Sequence, residues 1–133
     1  MQRPFLIATV LAAMVGSYGC SAKLGGSVEV NGEKLGLSSC RNGVAFGFRG
    51  VQLTTKSGLR LRIGALPTGA AGVIVMPKGE TVGTELGVPC GAFSISDQKS
   101  TINGVRNVEG KASLDCEAAG YKIKGEVSFE NCH

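Results

Sequence analysis

The sequence predicts a small all-β domain, an antiparallel sandwich or barrel-like form held by two disulfides. Three observations predict it. Past Gly25, no stretch of eleven or more residues carries a helical apolar stripe. Short β-type runs recur instead, separated by some of the 21 glycines. Five cysteines are present, and four of them, Cys40, Cys90, Cys116 and Cys132, lie well beyond the N-terminal region. A chain of 133 residues with no Trp and seven aromatic residues has a limited core, so covalent staples are expected.

The N-terminus reads as an export signal over residues 1–19. Arg3 supplies a short basic start, and Pro4–Gly16 is an apolar run without charge. Such a run is too short to span a bilayer and suits a signal peptide. Cys20 follows directly, after Gly19. Cleavage before Cys20 would free it for lipidation, although Ser17 and Tyr18 fit the usual lipoprotein box poorly. Cleavage after Ala22 would remove it. Cleavage before Cys20 without lipid would leave an odd thiol, which exported proteins seldom keep. We take the acylated reading: Cys20 carries the lipid, palmitate among its chains, and residues 20–26 form a short tether. Residues 27–133 form the β-domain. The alternative is a secreted or periplasmic protein without an anchor.

The strands follow in order. Ser27–Val30 ends at Asn31-Gly32, a hairpin turn signal. Val44–Phe48, Val51–Thr55 and Leu59–Ile63 come next, with Lys56-Ser57-Gly58 joining the last two. Gly72–Met76 is an apolar run stopped by Pro77, and Phe93–Ile95 follows. Thr101–Leu114 contains a second Asn-Gly turn at 103–104, and Tyr121–Phe129 alternates apolar and polar residues.

The last two strands propose their own register. With Glu117–Gly120 as the loop, Cys116 faces Tyr121, Leu114 faces Ile123 and Val108 faces Phe129, so the apolar sets coincide. Cys132 then lies more than about 30 Å from Cys116, too far for a disulfide. Folding back at Asn103-Gly104 sets Gly91 opposite Cys116, Phe93 opposite Leu114 and Ile95 opposite Ala112. Cys90–Cys116 is therefore expected, which leaves Cys40–Cys132.

Charge is segregated. From Lys34 to Gly79 there are seven basic residues and no Asp or Glu. In Leu59–Ile63, Arg60 and Arg62 share one strand face. With Arg49 and Lys56 at neighbouring strand ends, they are the candidate contact for anionic lipid or polysaccharide; an envelope protein is a further candidate partner. Plain solvation of a strand face is the simpler use of the same residues. Nucleic acid is not expected, because no aromatics interleave with the arginines. No catalytic constellation is legible: His133 is the only histidine, no metal-binding cysteine spacing occurs, and no serine has a recognisable base. A non-enzymatic protein without cofactor or metal is expected. The rival function is a secreted inhibitor or effector that docks through the Gly-rich Leu66–Val73 connection.

Two stretches carry a resemblance. Arg62–Val73, with its Ile-Gly, Thr-Gly and small-residue run before a strand, and Tyr121–Gly125, followed by an alternating strand and Cys132, resemble the mycobacterial 19 kDa lipoprotein antigen family. Val30-Asn31-Gly32 and Cys40 fall in comparable order. The resemblance implies a non-catalytic, surface-exposed bacterial envelope lipoprotein, membrane-anchored, and a bridge between an early and a late cysteine, here Cys40 and Cys132.

Overall fold

Every strand pairing in the computed structural model, which describes residues 22–133, is antiparallel. The strands are β1 (Lys23–Val30), β2 (Glu33–Ala45), β3 (Phe48–Thr55), β4 (Arg60–Ala65), β5 (Ala71–Met76), β6 (Thr84–Glu85), β7 (Ala92–Ile102), β8 (Val105–Ala118) and β9 (Tyr121–Cys132). Their spatial order is β6-β5-β4-β3-β2-β1-β9-β8-β7. The expected signal segment 1–19 and Cys20 lie outside the described residues.

Strand β2 joins the two halves of the sheet. Its first residues pair with β1, and Leu37–Ala45 pair with β3. Between Leu37 and Ser39 the register shifts, so Ser38 is an extra residue in β2, and its hydroxyl donates to the Thr54 carbonyl at 3.1 Å. Such a bulge bends and twists the strand that carries it. Both halves feed one core, in which Val28, Leu53, Leu61, Ile63, Ile123 and Phe129 are fully buried. The start of β5 also meets the start of β7 through an Ala70–Ala92 bridge.

Four hairpins turn on two residues that both have positive φ: Asn31-Gly32, Phe46-Gly47, Asn103-Gly104 and Ala119-Gly120. This backbone matches the right-handed twist of the flanking strands. The two Asn-Gly turns stand where the sequence places them. The other two correct it. The expected strand Val44–Phe48 contains a turn, and the expected loop Glu117–Gly120 shrinks to two residues. Phe and Ala rarely occupy the left-handed region, where a side chain costs about 1–2 kcal/mol, so neither marks a turn in sequence. Exchanging Ala119 for Asn is expected to raise stability by about 0.5–1 kcal/mol, since Asn tolerates this φ better. A chemical denaturation midpoint equal to or below wild type would show that the strain lies elsewhere.

The shorter β8–β9 turn moves the pairing by two residues. Ala118 faces Tyr121, Cys116 faces Ile123, Leu114 faces Gly125 and Gly110 faces Phe129. An even shift preserves which side chains point inward, so the predicted core survives the wrong partners. In β7–β8, Ile102 faces Val105 as the turn requires, but a bulge between Asp97 and Thr101 then sets Phe93 opposite Ala112 and Ile95 opposite Gly110. The two disulfides are Cys40–Cys132 and Cys90–Cys116, with Cα separations of 5.3 and 4.7 Å.

The expected tether 20–26 is also corrected. Residues from Lys23 onward belong to β1 and pair with β9, Lys23 opposite Glu130 and Gly26 opposite Val127. Gly26 has φ 80°, and a Cβ there would strike the Glu126 carbonyl oxygen. The glycines that read as linker in sequence are what lets β9 approach so closely.

Candidate functional site

Alternation along β3 and β4 decides where the basic side chains point. Val51, Leu53, Leu61 and Ile63 are buried, so Gln52, Thr54, Arg60 and Arg62 face outward. Cross-strand register then aligns outward rows. One runs Arg41, Gln52, Arg62, Ile74 across β2 to β5. The next runs Ser39, Thr54, Arg60, Met76. Strands lie about 4.8 Å apart, so the backbones of Arg41 and Arg62 are separated by about 10 Å with only Gln52 between. The Arg60 guanidinium donates to the Glu80 backbone carbonyl, which fixes one of its donors and leaves its charge unpaired by any carboxylate among the described residues.

The four residues expected to form one patch do not share a face. Arg60 and Arg62 do. Arg49 has the parity of Val51 and Leu53 and reaches across the end of the core to an ion pair with Asp97 of β7. Lys56, in the β3–β4 turn, lies over Gly36: a Cβ on that glycine would sit 3.3 Å from the Lys56 Cδ. Arg41 takes the place on the outward row that was expected of Arg49. The alternation Arg49-Val51-Leu53-Thr55 contained this information, because it sets Arg49 on the apolar parity.

At one end of the sheet the β2–β3 hairpin meets the β7–β8 hairpin. The Asn42 Nδ2 donates to the Arg106 carbonyl at 3.0 Å. A shallow cleft of about 370 Å³ opens there, and Arg41, Val44, Gln52, Arg62, Val105 and His133 are among its lining residues. No Asp or Glu side chain lines it. Sequence reasoning missed Arg41, Val44 and Val105 as site residues because the cleft joins hairpins some 60 residues apart, Asn42 and Arg106 being 64 residues from one another. A second hollow, of about 630 Å³, lies on the outer face of β1, β9, β8 and β7, where Gly25, Ser94, Ser113 and Ser128 leave space between Lys111 and Glu126.

The Leu66–Val73 connection is tied to its surroundings. The Ala71 amide donates to the Gly91 carbonyl at 3.0 Å, and the Phe93 amide donates to the Gly69 carbonyl at 3.2 Å. Ala71, Gly72 and Val73 are buried, and Pro67–Gly69 form its exposed part. Among the described residues, no group of three His, Cys, Asp or Glu side chains is placed to hold a metal ion. No helix among them is long and apolar enough to cross a membrane. No family model, curated protein or solved structure matches the chain.

Proposed function

We propose that the protein is a non-catalytic bacterial envelope lipoprotein, anchored through acyl chains on Cys20, whose β-domain contacts an anionic envelope component. The observation that carries the contact is the outward row of Arg41 and Arg62, with Arg60 beside it, in a stretch from Lys34 to Gly79 that holds no Asp or Glu. The Arg3, apolar run and Cys20 arrangement supports the anchor, and the resemblance to the 19 kDa lipoprotein antigens belongs to the same reading. Diacylglycerol with an amide-linked chain supplies the more than one acyl chain that stable attachment needs. We further read the sheet as curling into a sandwich or barrel-like form. The single core shared by both halves and the Ala70–Ala92 bridge support this.

Two measurements test the reading. Intact mass of the protein from its native membrane should show a chain beginning at Cys20 with added acyl mass. A chain beginning at Lys23 would end the anchor hypothesis. For the contact, a Cys20→Ser chain removes the acylation site and leaves the basic row unchanged. Its binding to phosphatidylglycerol-containing vesicles should exceed that to neutral vesicles and fall with added salt. Each arginine near an anionic surface contributes about 1 kcal/mol. Arg41→Ala with Arg62→Ala should therefore weaken binding by about 30-fold, whereas Lys124→Ala, on the other half of the sheet, should change it little. Equal binding by all variants would reduce the row to a solvated strand face.

A further inference from the structure

We propose that the end of the domain formed by the β2–β3 and β7–β8 hairpins seats on an anionic phospholipid bilayer, with Val44, Phe48 and Val105 entering the headgroup region. The proposal rests on the reading that Cys20 carries the anchor, and it adds the orientation of the domain and the surface that meets lipid.

The first argument is the length of the leash. β1 begins at Lys23, so Cys20, Ser21 and Ala22 alone separate the anchor from the sheet. Three residues span at most about 11 Å when fully extended. Lys23 sits opposite Glu130, and Cys132, two residues on, is bonded to Cys40. From Cys40, β2 continues through Ala45 to the Phe46-Gly47 turn. That is five further strand residues, a projection of about 17 Å past the disulfide. The hairpin thus reaches farther toward the anchor side than the leash is long. A leash this short keeps the hairpin close to the bilayer on the anchor side.

Surface chemistry is the second argument. Val44, Phe48 and Val105 are 64%, 40% and 44% exposed, three of the five exposed large hydrophobics among the described residues. All three lie on the two hairpins that the Asn42–Arg106 hydrogen bond and the Arg49–Asp97 ion pair hold together. Arg41 and Arg62 line the cleft beside Val44 and Val105. Apolar side chains next to arginines that form no salt bridge among the described residues match a bilayer surface, in which acyl carbon lies just beneath anionic phosphate. Val82, 80% exposed, follows the end of β5, which cross-strand register sets beside Arg60 and Thr54, at the other end of β3 from the Phe46-Gly47 turn.

The absence of Trp from the sequence makes the test direct, because any introduced indole is the sole one. With Cys40, Cys90, Cys116 and Cys132 paired, Cys20 is the one thiol open to coupling. The mature chain from Cys20, which contains every described strand and both bridges, is joined through that thiol to a maleimide lipid. It is then placed in phosphatidylcholine–phosphatidylglycerol vesicles with brominated acyl chains. Emission from Val44→Trp and from Val105→Trp should shift to shorter wavelength and fall by half or more. Val82→Trp should keep its intensity. Using two independent exposed positions guards against one variant disturbing its hairpin. Unquenched indoles at both positions, or equal quenching at Val82→Trp, overturn the proposal. The first of those results leaves this end to a protein partner. Because coupling does not depend on cellular acylation, a native mass without acyl chains would defeat the anchor reading alone. Uniform quenching would defeat the orientation alone.

Discussion

Replacing Cys40 and Cys132 together by Ala is expected to cost about 4–5 kcal/mol, more than the loss of any other single link in the domain. The two residues are 92 apart in sequence, so the bridge closes most of the chain into one loop. Cys90 and Cys116 are 26 apart. In the chain-entropy account, stabilisation grows with the logarithm of loop length, to about 4.6 kcal/mol for the long loop and about 3.5 kcal/mol for the short one. Both bridges lie in the core, where Cys40, Cys90 and Cys132 are buried, so each Ala pair also leaves space once filled by sulfur. Denaturant midpoints of the two double variants give the order directly, provided the slopes agree. A larger loss from the Cys90–Cys116 pair would show that local packing, not closure of the unfolded chain, sets the contribution of these bridges.

Phe129→Ala is expected to cost about 3–5 kcal/mol. Phe129 is the largest fully buried side chain among the described residues. Its ring centroid lies 6.0 Å from that of Phe93. The ring also fills the space over Gly110, where a Cβ would come within 2.9 Å of the Phe129 Cζ and would meet the Ser94 carbonyl oxygen. The backbone of β7 and β8 has therefore closed around this ring, and little nearby can move to fill the vacancy. With only seven aromatic residues in the chain, the core has few groups of similar volume to compensate. A loss below about 1.5 kcal/mol would mean that the site collapses on truncation. Given a typical net stability of 5–15 kcal/mol, this change and the loss of the long bridge together would leave many such domains unfolded.

What the sequence made legible was the inward and outward parity of the strands. Val51, Leu53, Leu61, Ile63, Ile123 and Phe129 alternate with polar neighbours, and each is buried. The disulfide partners were readable for the same reason: a register wrong by two residues still left Cys116 within reach of Cys90 and far from Cys132. Turns lacking Asn-Gly were not readable, because at Phe46 and Ala119 the pairing of long strands overrides the local preference of the residue. The start of β1 shows the opposite case. Gly25 and Gly26 have the composition of a tether, while their use is to admit the neighbouring strand. The site was only half legible. Arg60 and Arg62 share a short strand and so a face. The cleft beside them depends on Val44 meeting Val105, a contact between distant hairpins that no local pattern announces.

The position of β9 has a consequence for the order of assembly. It lies between β1 and β8, so the last of the described strands in chain order is an interior strand of the sheet. Its pairing with β1 joins residues about a hundred positions apart, for example Lys23 with Glu130. Contacts of such separation slow the search for the native state. Until Tyr121–Cys132 emerges, β1 has an open side, the core lacks Ile123, Val127 and Phe129, and Cys40 has no native partner. A chain without these residues lacks the contacts that close the sheet between β1 and β8. Insertion of β9 thus closes the sheet and brings Cys132 to Cys40 in the same step, so that pairing and the long bridge form together.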